Sequence, residues 1–227
     1  AAQEGYPLMK DAATYKGFND ISNSEWIWGH PQSTTQSDPS YNFYYVDAEE
    51  PDSYNSFMAD PHFYNLFSKN DIRRELFKWM REGYMGYCKF RIRADQTGDI
   101  VVMRSAEMYL IEAEANCHIG GKDAETQKLL VALNKDSGRN PTYTCTKTGD
   151  DLLQEVKLYR RIELWGEGFD WFDYKRWKEP IVRKAYPEGS FHVQFAITIQ
   201  PSDNNQWTWV FPAKEVDYND ALSSYIE

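Results

Sequence analysis

The run from Val101 to Leu133 constrains the fold more than any other part of the chain. Met103, Ala106, Leu110, Ala113 and Cys117 recur at helical spacing, and Met108, Ile111 and Ala115 form an adjacent face. A helix apolar on two faces is buried between neighbours rather than laid on a surface. Gly120-Gly121 ends it, and Asp123 opens a second helix through Leu133 with Leu129, Leu130 and Leu133 inward. The outcome is a helical hairpin around a tight glycine turn, which needs other elements to cover it.

A third helix follows. Asp151 with Gln154 three residues on gives a capping-box-like start, and Leu152, Val156, Tyr159 and Ile162 form one face, with Leu158 and Trp165 beside it. Gly166 and Gly168 stop it. Earlier, Asp71 to Met80 carries apolar residues at 72, 76, 77 and 80 behind a good N-cap, which predicts a short amphipathic helix broken by Gly83 and Gly86. Residues 30–40 hold almost nothing apolar and read as a loop, and Tyr41–Val46 is strand-like. Phe191–Ile199 alternates as a strand does, with Trp207–Phe211 as its pairing partner. The Tyr109, Ala113, Gly120, Ala124 spacing is that of one tetratricopeptide unit, which buries its face only by stacking, and no second clean copy appears.

Composition narrows the function. The net charge is −10 with no Lys/Arg-rich run, a surface that repels duplex DNA and anionic lipid. Aromatic residues reach 16% and crowd the first 90 positions. Three cysteines, Cys88, Cys117 and Cys145, cannot make a complete disulfide framework; buried thiols or a Cys117–Cys145 bridge are both open. No stretch approaches the roughly 20 apolar residues of a membrane span. The chain starts at Ala1, as expected if a leader was removed or if it is part of a longer protein. His30, His62, His118 and His192 show no metal-ligand spacing, and neither a phosphate loop nor a nucleophile motif is present, so no cofactor is expected.

Two constellations could carry chemistry. Tyr159–Trp177 (YRRIELWGEGFDWFDYKRW) places Glu163, Glu167, Asp170 and Asp173 among Arg160, Arg161, Lys175 and Arg176. Paired carboxylates could serve glycoside hydrolysis, but acids among Trp and Phe are tolerated when matched by bases, and here they nearly are. The expectation is therefore a paired structural corner, with Arg104 similarly reaching Glu107. The other constellation is SEWIWGH. Trp26 and Trp28, two apart in an extended segment, should face one side, with His30 nearby and Tyr41 and Tyr44 beyond the polar loop. Flat aromatic faces beside amides and acids suit a sugar ring, so Trp26, Trp28, His30, Tyr41 and Tyr44 are the candidate ligand-binding residues. Core packing is the competing explanation for them.

Arg104-x-Ala106-Glu107-Met108-Tyr109-Leu110-Ile111-x-Ala113-Glu114-Ala115 and the Arg160–Trp177 stretch together resemble the SusD/RagB family. Shorter matches agree in order: Glu25-x-Ile27, Asp71-x-Arg73, Lys89-Phe90, Phe211-Pro212-x-x-Glu215, Asn219 and Leu222. The chain departs from the family pattern at Tyr159, where Glu is usual, and at Asp170, where Arg is usual, so one ion pair of the family is expected to be missing. The resemblance implies a mainly α fold, with tetratricopeptide-like hairpins packed on an irregular loop-rich subdomain and a short β-hairpin. It implies two regions, a loop-rich aromatic binding part (1–100) and a helical C-terminal core with terminal strands (101–227). It implies a non-catalytic glycan- or nutrient-binding lipoprotein of the outer membrane of Bacteroidetes. Such a protein hands oligosaccharide to a SusC-like TonB-dependent transporter. The lipid anchor and other helices would lie on an N-terminal half absent from this chain. A glycosidase using the paired carboxylates, and a purely structural helical docking module, are the alternatives.

Overall fold

The structure, a computed structural model, describes residues 5–10, 18–35, 47, 58–189, 193–202, 211–219 and 221. Strand β1 (Trp26–His30) is followed by the short helix α1 (Pro61–Tyr64), a 3₁₀ turn (Ile72–Leu76) and strands β2 (Phe77–Arg81) and β3 (Tyr84–Tyr87). Strand β4 (Ile100–Arg104) runs into helix α2 (Ser105–Ile119), then α3 (Asp123–Val131), a π-helical turn (Ala132–Asp136) and α4 (Gly149–Leu164). Helix α5 (Asp170–Trp177), strands β5 (Ile181–Val182) and β6 (Thr198–Ile199) and helix α6 (Ala213–Tyr218) complete the order.

The helical hairpin forms where the spacing predicts it. Helix α2 buries Ala106, Leu110 and Ala113 against α3 and α4, and Gly120, at φ 78, supplies the left-handed exit. Only one of the two expected apolar faces is covered, since Ile111, Ala115 and Ile119 are exposed. Asp123 is the first residue of α3 rather than its cap, and its carboxylate accepts from the Gly149 amide, tying the start of α3 to the start of α4. Helix α4 starts before Asp151, behind Thr148, and buries Leu152, Val156, Tyr159 and Ile162 as its periodicity requires.

Three pairings escape periodicity, two of them between strands well separated in sequence. The segment 72–81 is not a helix: Asp71 caps a single 3₁₀ turn through the Arg73 amide, and Phe77–Arg81 is a strand that turns back at Gly83 to pair with β3. Strand β1 pairs antiparallel with β4, so the residues before the helices are stitched to the first residues of the helical part. In the Phe191–Ile199 run the described residues form a 3₁₀ turn (Val193–Phe195) and β6, and β6 pairs with β5. Tyr41–Val46 and residues 207–210 lie outside the described residues.

One core joins these parts. Met9, Phe18, Trp26, Phe67, Leu76, Phe77 and Met85 pack with Leu110, Leu130, Leu133, Val156 and Trp165 in a single cluster. None of the three cysteines is in a disulfide. Among the described residues no helix is long and apolar enough to cross a membrane, and no group of His, Cys, Asp and Glu could hold a metal ion.

Candidate functional site

The acid- and base-rich corner is locked by partners the sequence does not place beside it. Glu163, fully buried, accepts from Arg104 Nη1 at 2.6 Å, Arg73 Nη1 at 2.7 Å and Arg139 Nε at 3.2 Å. Glu25 accepts from Arg104 at 2.6 Å, Arg139 at 2.7 Å and the Met9 amide at 2.8 Å. Glu167 takes Lys89 Nζ at 2.6 Å and two Arg104 donors at 2.8 Å. Asp71 pairs with Arg73, whose Nη2 also reaches Asn134. The network therefore matches Glu25, Asp71, Glu163 and Glu167 with Arg73, Lys89, Arg104 and Arg139, the balance that makes burying ions tolerable. Burial alone would push the Glu167 carboxyl up; Arg104 and Lys89 overcome that and hold it below the usual carboxylate range.

The carboxylates of the corner lie among bases, as expected, but the pairing differs from the local one. Of the four carboxylates on 163–173, only Asp173 is held by neighbours in sequence, Arg160 at 2.6 Å and Arg176 at 2.8 Å. Arg104 turns inward, and the cation that approaches Glu107 is Arg160, at 3.7 Å. Lys175 lies over the Trp171 ring. Helical geometry explains the partition: consecutive residues point about 100° apart, so Arg160 and Arg161 cannot serve one carboxylate together.

The predicted aromatic pair is split. A register shift between Trp26 and Trp28 puts an extra residue in β1 opposite Met103–Arg104, a β-bulge that breaks the alternation. Trp26 is therefore core, packed edge-on against Phe18 at 5.3 Å, whereas Trp28 is 62% exposed. His30 is exposed on the same strand and donates through Nδ1 to the Pro31 carbonyl. Tyr41 and Tyr44 lie outside the described residues.

The structure also holds a cleft of about 440 Å³ between α1, the start of β2, the end of α4, α5 and β5. Its walls are Phe63, Phe77, Tyr87, Phe90 and Trp165, and its polar side is Asp60, Arg161, Asp170 and Tyr174. Trp165 is the hub, with ring centroids of Phe77 at 4.8 Å, Tyr87 at 5.6 Å and Phe90 at 6.1 Å. Gly166 makes the end of α4 fit: it sits at φ +76, and a Cβ there would lie 2.5 Å from Phe90. The Arg161 guanidinium lies 5.8 Å from the Phe63 ring centroid and 5.2 Å from that of Tyr174. Its Nε is buried and finds no hydrogen-bond partner among the described residues. Burial pushes the Asp170 carboxyl above its ordinary value, against the pull of Arg161. Sequence reasoning missed this cleft. Two signals pointed to it, the divergence of Arg161 from Arg160 on the helix and the departure of Asp170 from the family pattern.

Known proteins resemble the chain in sequence and fold. A family model described as the SusD family matches residues 76–225. A SusD-like carbohydrate-binding protein from Bacteroides vulgatus is 38% identical, with a TM-score of 0.73 over 87% of this chain and 44% of that one. A SusD superfamily protein from Bacteroides thetaiotaomicron (23% identity, TM-score 0.77, 95% of this chain and 51% of the other) shares the fold. So does one from B. vulgatus (21% identity, TM-score 0.78, 99% of this chain and 50% of the other). The chain thus spans about half the length of these solved structures. No curated protein matches it. A family match over well more than half of the residues, joined to this agreement in fold, shows that the chain belongs to the SusD family.

Proposed function

We propose that the chain is part of a non-catalytic glycan-binding protein. It would capture oligosaccharide at the cell surface and pass it to a SusC-like TonB-dependent transporter, with a lipid anchor on an N-terminal part of the same protein holding it to the outer membrane. The observation that carries this reading is family membership joined to a 38% identical carbohydrate-binding relative. The chemistry supports it. Glu163, Glu167 and Asp173, three of the four carboxylates from which a hydrolase here would draw its pair, are held in ion pairs. Trp28 offers an exposed ring on β1 with His30 beyond it, and with Tyr41 and Tyr44 these make up the proposed ligand face. Trp26 supports that face from the core. The uncovered face of α2 (Ile111, Ala115, Ile119) is where a further helical hairpin of a longer protein would stack, in keeping with relatives about twice as long.

Calorimetric titration of the chain with a panel of oligosaccharides, followed by analysis of the recovered sugars, tests the reading. Binding with the sugar returned intact supports it. Shortened products would point to the glycosidase instead, and co-purification with a transporter without glycan affinity would point to a docking module.

A further inference from the structure

We propose that the Trp165 cleft is a second sugar subsite, separate from the Trp28 face, which takes one residue of a neutral glycan. The inference rests on the glycan-binding reading and adds to it a place and a ligand chemistry. Its volume of about 440 Å³ falls within the range of small-molecule pockets. Its lining then selects among occupants. A wholly apolar guest would strip water from the partly exposed Arg161 and Asp170 side chains without replacing its hydrogen bonds, and each such loss is costly. An anionic guest meets Asp60 and Asp170 in the lining and a chain of net charge −10. A cationic guest meets Arg161 and Arg183.

A neutral, polyhydroxylated ring answers all of these demands. A hydroxyl is both donor and acceptor, so one accepts from the Arg161 guanidinium while another donates to the Asp170 carboxylate. The C–H face of the same ring lies against the aromatic wall around Trp165. The Arg161 guanidinium already rests near the Phe63 and Tyr174 rings, 5.8 and 5.2 Å from their centroids. Val182, half-exposed on β5, stands at the edge of the cleft, where it leaves the site open to a chain end.

The test uses the neutral oligosaccharide that the unmodified chain binds most tightly, titrated calorimetrically into Arg161→Gln, Val182→Trp and Trp28→Ala, with thermal unfolding of each as a control for folding. Val182→Trp changes an exposed position and blocks the cleft without touching the buried ion network. Arg161→Gln and Val182→Trp should each weaken binding about tenfold or more, the equivalent of roughly one lost stacking or hydrogen-bonding contact. If both folded variants bind as the unmodified chain does, the cleft is not a subsite, while the glycan-binding reading survives. If Trp28→Ala alone weakens binding, the whole site lies on β1 and the cleft proposal fails. If the unmodified chain binds no glycan, both readings fall together.

Discussion

Removing the charge of Glu163 would leave the guanidinium groups of Arg73, Arg104 and Arg139 facing one another in a dry interior. Breaking a buried ion cluster at one member costs about 3–5 kcal/mol, because the remaining charges lose their compensation. Glu163→Gln is accordingly expected to lower the urea midpoint by that equivalent with an unchanged m-value, in a chemical denaturation series. Asp170 should behave oppositely. Its carboxyl is raised in the folded state, so the unfolded chain gives up that proton first as pH rises. The folded state is favoured below the ordinary carboxylate pKa and loses that advantage as pH climbs through the raised one. Asp170→Asn should therefore raise the thermal midpoint at neutral pH, with the gain fading on acidification; a gain that persists in acid would refute the assignment. Glu167 and Glu114 are held low, Glu114 by Arg176 and Trp177 against the upward push of burial, and their contributions run the other way. Both are present at neutral pH and lost as pH falls through their depressed values, which adds to acid sensitivity.

At the scale of elements, α2 presents an open apolar stripe that a longer protein would cover. Ile111→Glu should change the stability of this chain by no more than about 0.5 kcal/mol, as surface substitutions do. In the longer protein the same change should cost clearly more, measured by paired thermal melts; equal effects would show the stripe faces solvent in both. The exit of α4 is less forgiving. Gly166→Ala combines a left-handed backbone with a Cβ driven into Phe90, and is expected to destabilise by more than about 1 kcal/mol in the same melts. These elements also show what a linear reading can recover. Helices α2, α3 and α4 were legible because 3.6-residue periodicity is a local property carried by Leu110, Ala113, Leu152 and Val156. Phe77–Arg81 was not, because what makes it a strand is β3, several residues further on, and its apolar spacing fits a helix equally well. The split of Trp26 from Trp28 was illegible for a related reason: a bulge is set by the partner strand, and β4 lies more than 70 residues away.

For the molecule as a whole, the ion network is the least local feature of all. Apart from the local Asp71–Arg73 pair, its ion pairs through Glu25, Arg73, Arg104 and Arg139 join residues far apart in sequence, yet Glu25-x-Ile27 and Asp71-x-Arg73 were visible as short matches whose distant partners could not be named. The Trp165 cleft was hidden in the same way, since Phe63, Phe77, Phe90, Arg161 and Asp170 converge only after folding. Separate chains covering 1–100 and 101–227 should each lack a stable core and show little cooperative melting, but recover it when mixed, as followed by circular dichroism; two independently cooperative fragments would contradict the shared core.

Arg104 gives that network a temporal meaning. It ends β4 in an extended conformation and immediately precedes α2, whose contacts are local, but its carboxylates arrive from residues 25, 163 and 167. Until the β1–β4 pairing closes and α4 docks, the arginine is a solvated charge with no reason to enter the interior. Long loop closures precede the contacts that reward them, so the closing step should be slow and set the refolding rate. Arg104 would act as a gatekeeper of commitment, silent while the chain is partly assembled and decisive once its distant acids meet.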